Sequence, residues 1–506
     1  MATITDSQKN WIVVLIMAAL LFNTFYTGSH AYPWIEDSDG WEHASAVQYI
    51  LTFGNPMQPA PYTSSHYLLP YPPLYDMAMA ALKTISGLTI PETLKTFNSL
   101  MCALAIPGFY LWSSTKFGNR IGLWSTFVIT CLPSFMSHFI WSQSLAICLM
   151  FPAMYLFEKR SQWSVIAMGL VMVTQPSVAV IFAVIMCIYA VTDGLATRVP
   201  RLANETTAGG FQRGTRDPGR GTNGYKFVVL AIAWAFVFFW GPCFVTYGFD
   251  TVMKQISFND IYTFPSQTYW LADFIDAPTT TLIDQPTGLG LGIFILAISG
   301  IWLAWKQKNL FLLALLAFCL IGLEASILPI KLLPHRFWVF LAIPVSILAG
   351  MAAASIIDKF HNYKTPAAIG IILLVAMTGL TPKVQVETSV WTSPELPTAA
   401  FVQGYLNLPP GSQVYDFCAP EHIADGFGLK GRAWDPEAAA KNWSRDSAWL
   451  KLKGYQYAII DQACTPTHSV DEVNQKLLFL SHDPGLNISV NLSINQTFYV
   501  FEVKQK

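Results

Sequence analysis

The chain has 506 residues, of which 53% are hydrophobic and 12% are charged, whereas a water-soluble domain carries roughly 25% charged residues. This composition excludes a single water-soluble core. The 30 Lys and Arg residues nearly balance the 31 Asp and Glu residues, so the chain has no global basic field that would attract nucleic acid. We expect an integral membrane protein that contacts membrane lipid and binds no nucleic acid.

Long apolar runs recur through residues 1–381. A helix needs about 20 apolar residues to cross a hydrocarbon layer of about 30 Å, and a short or Pro-interrupted run is tolerated where other helices surround it. We predict about eleven spans on this basis, at 11–28, 97–114, 121–138, 143–157, 162–175, 177–193, 227–247, 288–305, 309–327, 337–356 and 365–381.

The basic residues of the short loops predict the topology, because cytoplasmic loops are enriched in Lys and Arg. These residues fall at alternate ends of the spans: Lys9, Lys116 with Arg120, Lys159 with Arg160, Lys306 with Lys308, and Lys359 with Lys364. The N-terminus is then cytoplasmic, and an odd number of spans leaves the C-terminus outside. A cleaved signal peptide over the first run is an alternative, and it also leaves the next loop outside.

Three long segments separate the spans. Residues 29–96 form an outer segment rich in Trp, Tyr, Pro and His, in which 44–51 and 75–85 have the spacing of helices at the membrane interface. Residues 194–225 are rich in Gly and Arg and predict a flexible cytoplasmic loop. Residues 248–287 form a second long outer segment, and because long loops are usually functional it is our candidate lid.

Residues 382–506 are more polar and change period. Segment 398–408 has helical spacing, and the runs 413–417, 457–461, 488–492 and 497–503 alternate like strands. These elements predict a small extracytoplasmic α/β domain. Cys418 and Cys464 each follow a predicted strand. If those two strands are parallel neighbours, the thiols could come within disulfide range in an oxidising compartment.

An acidic cluster follows the first span in the sequence "WIEDSDGWEH". It contains Glu36, Asp37, Asp39, Glu42 and His43, next to Trp34 and Trp41. One interpretation is a solvated loop. The other is a reaction centre, because carboxylates next to a span can act as a base or bind a divalent metal such as Mg or Mn.

The run "DGWEHASAVQYILTFG" resembles the first outer loop of the oligosaccharyltransferase catalytic subunits. These are C-type (GT-C) membrane glycosyltransferases, which use lipid-phosphate-linked sugars, and the resemblance implies that Asp39 is the catalytic Asp. The run "YPPLYD", from Tyr71 to Asp76, is similar to a Pro-Pro-Leu element of related archaeal and bacterial membrane glycosyltransferases. A turn made rigid by two prolines explains it equally well.

The run "HRFWVFLAIPVSILAG", residues 335–350, resembles a late span of the same family, whose Arg contacts the donor phosphate. The resemblance assigns that role to Arg336, and a guanidinium suits a phosphate bidentately. Lys331 and His335 could assist. Alternatively, Arg336 marks only the outer end of the span.

Two departures from the family limit what the resemblance implies. The family carries an acidic pair in its second outer loop, but residues 137–144 read "SHFIWSQS" and contain no carboxylate, which weakens the metal site. The family's Trp-Trp-Asp motif is missing from "SQVYDFCAPEH", residues 412–422. We therefore do not predict protein N-glycosylation. In the lid, "TLID" is similar to the family's Thr-Ile-x-Glu and points to Asp284.

These observations lead to the hypothesis of a GT-C-like membrane glycosyltransferase in a prokaryotic, archaeal-type cell membrane. Its donor would be a polyprenyl- or dolichyl-phosphate-linked sugar, and its acceptor a glycan, a lipid or a protein. Asp39 would act as the base and Arg336, with Lys331 and His335, would bind the phosphate. Further candidates for metal or substrate contacts are Glu36, Asp37, Glu42, His43, His138 and Asp284, and candidates for sugar stacking are Trp34, Trp41 and Tyr71.

Two other classes remain open from the sequence, namely a membrane transporter and a non-catalytic assembly protein. Transporters place ionisable residues near the middle of the membrane and often contain internal repeats. Here the predicted spans are nearly free of charged residues, with Glu324 as the main exception. This distribution favours a reaction centre at one face.

Overall fold

The computed structural model describes residues 5–35, 38–56, 72–136, 140, 142–198, 224–250, 252, 269–275, 288–324, 336–392, 399–419, 421–432, 435–439, 441–461, 464, 468–494 and 498–505.

The described residues before 393 are mainly helical. The first ten helices are α1 (Asp6–His30), α2 (Ser38–Phe53), α3 (Leu74–Ser86), α4 (Ile90–Phe117), α5 (Asn119–Cys131), α6 (Ser142–Glu158), α7 (Trp163–Met172), α8 (Pro176–Arg198), α9 (Gly224–Ala235) and α10 (Gly241–Tyr247). The next six are α11 (Leu271–Ile275), α12 (Leu291–Lys306), α13 (Leu310–Leu323), α14 (Phe337–Lys359), α15 (Lys364–Val375) and α16 (Thr381–Thr392). Single π-helical stretches join α9 to α10 and α15 to α16.

A helix lies over every predicted span. By length and composition, five helical segments of the described chain could cross a membrane: Asp6–His30, Pro176–Asp193, Gly224–Tyr247, Phe337–Lys359 and His361–Glu387. Three shorter apolar helices lie at Trp163–Met172, Leu291–Lys306 and Leu310–Leu323. The protein is therefore an integral membrane protein, while the larger number of spans stays a prediction.

Helix α14 is the most enclosed of the five candidate spans, because 89% of an 18-residue apolar stretch of this helix is buried. Small residues allow its neighbours to approach its backbone closely. A Cβ at Gly300 of α12 would lie 2.1 Å from the carbonyl oxygen of Leu348, and one at Gly350 would lie 2.3 Å from Ser125 Oγ on α5. Neither contact leaves room for a larger side chain, so α14 is fixed at the centre of the bundle.

Ion pairs gather the predicted cytoplasmic loops at one end of the bundle. Lys116 Nζ lies 3.2 Å from a carboxylate oxygen of Glu158 and 3.8 Å from one of Asp193. Arg160 also pairs with Asp193, and Arg120 pairs with Asp358 near the end of α14. The starts of α6, α8 and α14 therefore lie at the opposite end. This end is the one predicted to face outward, and we call it the outer end of the bundle.

The last span continues past its predicted end. The polar residues after Leu380 suggest an end at 381, but the helix runs on to Thr392 because Lys383 and Glu387 are buried at 0% and 2% exposure. Lys383 Nζ donates to the carbonyl oxygens of Leu132 and Phe135, at 3.0 and 2.5 Å. The expectation that Glu324 is the main charged exception in the spans was therefore wrong.

The C-terminal part contains one four-stranded sheet, made of β1 (Val414–Asp416), β2 (Tyr457–Asp461), β3 (Leu486–Ile488) and β4 (Phe498–Val503). The strand order is β1-β2-β4-β3. β1 pairs in parallel with β2, and β4 runs antiparallel to both β2 and β3. The helices of this part are α17 (Ala399–Asn407), α18 (Glu421–Gly426), α19 (Pro436–Ala439), α20 (Ser447–Leu452) and α21 (Val470–His482).

The predicted α/β pattern of this part is confirmed, with one shift. β2 has the predicted bounds, whereas β3 ends at Ile488, where its predicted run begins. The chain turns after β3, since the backbone N–H groups of Leu492 and Ser493 both donate to the carbonyl oxygen of Ser489. Helix α21 was not predicted. It begins with a capping box of Ser469 and Glu472, a recognisable start signal.

Cys418 and Cys464 follow β1 and β2, which are the parallel neighbours that the disulfide expectation required. The two residues form a disulfide with a Cα–Cα distance of 4.9 Å. It ties together the ends of the two strands through cysteines that are 46 residues apart in sequence. Closing a loop of this size restricts the unfolded chain.

We expect Cys418→Ser to destabilise the C-terminal part by about 2–4 kcal/mol, because the unfolded chain regains its loop entropy. The measurement is the thermal unfolding midpoint of the full-length protein without reductant. Cys187→Ser is the control, since that thiol is free and exposed on α8. Adding reductant should bring the wild type to the midpoint of Cys418→Ser. A wild-type midpoint that reductant does not change would contradict the expectation.

Candidate active site at the outer end of the bundle

Helix α2 carries the acidic motif. It begins at Ser38, six residues before its predicted start, so Asp39 lies in its first turn. Carboxylates are favourable at this position because the helix dipole is positive there. The side chain of Asp39 lies outside the described part of the chain, as do Glu36 and Asp37. The described residues that follow Asp39 on α2 show how the helix is held.

The segment leading into α2 is anchored by a buried lysine. Lys95 on α4 donates from Nζ to the carbonyl oxygens of Tyr32 and Pro33, at 3.0 and 3.2 Å. Glu92 lies 3.4 Å from the same ammonium group and 3.0 Å from Nε2 of His30. The end of α1 and the chain before the acidic motif are thus fixed to the start of α4.

His43 joins α2 to α3 and α6. Its Nδ1 lies 2.7 Å from Oδ1 of Asp76 on α3, and the backbone N–H of Ser142 donates to its Nε2 at 3.4 Å. Because Nε2 accepts, the ring proton of neutral His43 lies on Nδ1 and donates to Asp76. Burial raises the pKa of the Asp76 carboxyl, while its interaction with His43 lowers it.

The interpretation of His43 as a metal or substrate ligand is not supported in this arrangement. The side chain is 1% exposed, and both ring nitrogens are used within the protein. Glu42 is also engaged elsewhere, because its Oε1 lies 3.3 Å from Nδ1 of His422 on α18. These two residues hold α2 against its neighbours instead of pointing to an open site.

Trp41 does not present its ring to a sugar, contrary to the prediction. It is 0% exposed, its ring centroid lies 4.6 Å from that of Phe427, and its Nε1 donates to the carbonyl oxygen of Ile35. Trp34 is half-buried, and its ring lies 5.0 Å from the same Phe427. Residues of the C-terminal part occupy the aromatic surface that we assigned to sugar stacking.

Arg336 lies immediately before α14, at the outer end of the bundle. Its Nη1 donates to Oγ of Ser177 at 2.9 Å, and Ser177 in turn donates to Oε1 of Gln175 at 2.8 Å. Gln175 Oε1 also accepts the backbone N–H of Val178 at 2.6 Å, which caps the start of α8. The guanidinium is therefore directed by the start of α8 and faces protein.

A short part of the predicted lid packs next to Arg336. The rings of Tyr269 and Phe274 lie 5.3 and 4.9 Å from that of Trp338, two residues beyond Arg336. Glu324 Oε1 accepts the backbone N–H of Tyr269 at 3.3 Å. The described lid residues 269–275 thus cover the start of α14. The remaining candidates, Tyr71, His138, Asp284, Lys331 and His335, lie outside the described residues, and their roles stay predictions.

Within the described ranges, no group of three or more His, Cys, Asp or Glu side chains could hold a metal ion. Glu42 and His43, the two described candidates for metal binding, are each paired with another protein residue. The described residues therefore do not fit a divalent metal. We assign no step of a reaction to a metal.

Asp416, which stands where the family has its Trp-Trp-Asp motif, has a structural role. Its Oδ2 accepts the hydroxyl of Tyr405 at 2.7 Å, and its Oδ1 accepts the backbone N–H groups of Cys418 and Ala419 at 2.8 Å each. Burial raises the pKa of this carboxyl, and nearby Lys441 opposes that effect. This carboxylate shapes the turn after β1.

Sequence reasoning missed three residues that hold the site. Asp76 had a signal, because it ends the run "YPPLYD", but its role was not assigned. Lys95 and His422 had none that we used. The carbonyl partners of Lys95 lie more than 60 residues before it, and the partner of His422 lies near the other end of the chain, so local patterns do not indicate these contacts.

Comparison with solved structures identifies the fold. No family model and no curated protein match the sequence. Solved structures do match, and they show that the chain has a GT-C-like fold, the fold of membrane glycosyltransferases. The sequence identities of the structures described below are all 13%. This likeness therefore establishes the fold alone.

Two kinds of solved enzyme are similar to this chain. The archaeal oligosaccharyltransferase AglB from Archaeoglobus fulgidus, in complex with an inhibitory peptide and a dolichol-phosphate, aligns at TM-score 0.56 and 13% identity over 91% of this chain and 70% of its own. ArnT from Cupriavidus metallidurans, bound to undecaprenyl phosphate, aligns at TM-score 0.56 and 13% identity over 97% of both chains. An Archaeoglobus fulgidus oligosaccharyltransferase structure in complex with Zn and sulfate aligns at TM-score 0.53 and 13% identity over 97% of this chain and 73% of its own.

We expect His43→Ala to destabilise the protein by about 3 kcal/mol, because it leaves the buried Asp76 carboxyl without its partner. The matched control is His30→Ala, whose partner Glu92 is 37% exposed, and there we expect less than about 1 kcal/mol. The thermal unfolding midpoint of the full-length protein measures both.

The pH dependence provides a second check on the same variant. A carboxyl whose pKa is raised in the folded state makes the protein less stable as the pH rises through that pKa. His43→Ala removes the group that lowers the pKa of Asp76. The loss of stability in this variant should therefore be larger at neutral pH than below about pH 4. Replacing both His43 and Asp76 with Ala should cost less than the sum of the two single changes. Equal losses for the His43 and His30 variants at neutral pH would contradict this account.

Proposed function

We propose that this protein is a membrane glycosyltransferase that moves a sugar from a polyprenyl-phosphate-type lipid donor to an acceptor on the outer face. The observation that carries the proposal is a GT-C-like fold with Arg336 and the start of α2, the helix that carries Asp39, at the same end of the bundle. The two similar enzymes were solved with dolichol-phosphate and with undecaprenyl phosphate, which supports a lipid-phosphate donor for this chain.

In the proposed reaction, Asp39 accepts the proton of the acceptor hydroxyl. The acceptor oxygen forms a bond to the anomeric carbon, and the bond between that carbon and the phosphate oxygen breaks. The electron pair of the broken bond leaves with the lipid phosphate. A base in this role must lie within hydrogen-bond reach of the acceptor.

Arg336 would stabilise the leaving phosphate, with Lys331 and His335 as possible assistants. A guanidinium can donate two parallel hydrogen bonds to phosphate oxygens, and such donors have their largest effect where water is excluded. Two contacts support this role: Ser177 orients the guanidinium, and the described lid segment packs over the neighbouring Trp338.

We expect Asp39→Asn to reduce transfer at least about 100-fold, the usual contribution of a positioned general base. The assay uses the full-length protein with radiolabelled dolichyl-phosphate mannose and dolichyl-phosphate glucose, and follows release of the sugar to an acceptor or to water. Asp6→Asn is the control, because this substitution makes the same chemical change at an exposed carboxylate at the other end of α1.

The outcome separates the competing functions. Full activity in Asp39→Asn would remove Asp39 as the base but leave the glycosyltransferase proposal in place. A wild-type protein that neither binds dolichyl phosphate nor releases either sugar would favour the transporter or the assembly protein.

We expect Arg336→Lys to weaken both dolichyl phosphate binding and the rate, with kcat falling about 100-fold, as when one preorganised donor is lost from a transition state. Lys keeps the charge but lacks the planar pair of donors. Arg120→Lys is the matched control, because Arg120 pairs with Asp358 at the opposite end of the bundle. Unchanged phosphate binding and kcat in Arg336→Lys would exclude the assigned role.

A further inference from the structure

The C-terminal part and helix α2 share one hydrophobic core. Buried residues of the first outer segment, among them Trp41, Ala44 and Val47, belong to the same cluster as Ile423 of α18 and Phe498 of β4. The sequence predicted an extracytoplasmic α/β domain from residue 382. One segment of it, 421–427, "EHIADGF", covers the start of α2 directly, and we call it the clamp segment.

The clamp segment and α2 approach each other closely at Gly426. A Cβ at this position would lie 2.6 Å from Cε3 and 2.9 Å from Cζ3 of Trp41, and 3.2 Å from Cβ of Ala44. Contacts under about 3.0 Å essentially do not occur between real side chains, so only glycine fits. The next residue, Phe427, lies parallel to the ring of Tyr405 at 5.3 Å and also contacts Trp41. The packing leaves little freedom between α2 and the clamp segment.

Polar contacts fix the same interface. Glu42 and His422 are 10% and 9% exposed in their side chains and lie 3.3 Å apart, and Ser45 Oγ donates to Oδ2 of Asp425 at 3.4 Å. Asp425 is itself held, because its Oδ1 accepts the backbone N–H groups of Gly431 and Arg432 at 2.7 and 3.1 Å. The clamp segment therefore has a defined shape against which α2 is set.

These contacts are concentrated at the end of α2 that carries Asp39. Trp41, Glu42 and Ser45 follow Asp39 by two to six residues, which is within about 9 Å along a helix axis. The first turn of a helix lacks intrahelical partners for its N–H groups and tends to fray. External contacts at this turn therefore determine how precisely it is placed.

We propose that the clamp segment is a positioning element of the active site, which sets the place of Asp39 through α2. The inference rests on the proposed glycosyl transfer. The clamp residues act on the reaction through Trp41 and Glu42 and touch no substrate. The C-terminal part is then required for the chemical step itself, and its role is not limited to binding an acceptor.

The test is Gly426→Ala in the full-length protein. The added methyl group pushes the clamp segment away from Trp41, and we expect kcat for sugar release from the active dolichyl-phosphate sugar to fall about tenfold or more, since misplacement of a reacting group by 1 Å can cost about 100-fold. The KM for that donor should change less than about twofold, because Arg336 is untouched. The control is Gly370→Ala, where an added Cβ meets nothing within 4 Å.

Rescue separates positioning from a general loss of folding. Trp41→Phe removes the two ring carbons that the new methyl group would meet, so Gly426→Ala combined with Trp41→Phe should recover part of the lost kcat. Hydrogen exchange of residues 38–53 should be faster in Gly426→Ala than in the wild type and slower again in the double variant. A structural defect elsewhere would not show this reversal.

The Glu42–His422 pair provides an independent variant with little change in volume. Glu42→Gln and His422→Gln should each lower kcat, and the double variant should be no worse than the poorer single one, because the two residues act as a unit. If Gly426→Ala and both Gln variants keep kcat and the exchange rate of α2, the positioning role is wrong. An effect on the acceptor KM alone would assign the clamp segment to acceptor binding, and this result would also overturn the positioning role. If the wild-type protein itself releases no sugar, both the proposed function and this inference are wrong.

Discussion

The need to pair every charged group that the helix bundle buries shapes both of its ends. A charge in an apolar surrounding is costly unless partners surround it. At one end Lys116, Glu158 and Asp193 satisfy one another. At the other end Lys95 and Lys383 donate to backbone carbonyls at the ends of helices. Because these carbonyls lie just past the ends of α1 and α5, the buried lysines also fix the chain where it leaves those two helices.

The paired groups converge on α2. Lys95 holds the chain before this helix, His43 holds its first half to α3 and α6, and Glu42 holds the adjacent position to the C-terminal part. Consecutive side chains of a helix point about 100° apart, so Glu42 and His43 can engage different neighbours. Three directions of support at one short helix give the precision that a reacting carboxylate requires.

The sequence predicted the elements well where a local pattern determines them. Apolar runs located the helices of the bundle, and period-two alternation located β2 to the residue. The sequence-based predictions failed where a segment distant in sequence determines whether a residue is buried. Lys383 and Glu387 look like the polar end of a span, and only the packing of α16 against α1 and the end of α5 buries them. Trp41 looks like an open aromatic surface for a sugar, but Phe427, near the other end of the chain, covers it. The acidic motif was visible locally, whereas its supporting residues were not.

The two groups assigned to the reaction are placed by different parts of the molecule. Arg336 precedes α14, the most enclosed candidate span, so the position of this proposed phosphate ligand is fixed by the bundle itself. Asp39 lies at the start of α2, whose first turns are covered by the clamp segment. The distance between the proposed base and the proposed phosphate ligand therefore depends on how the C-terminal part sits on α2. A fold that divided into two independent domains at residue 382 would leave that distance undetermined, and the shared core removes this freedom.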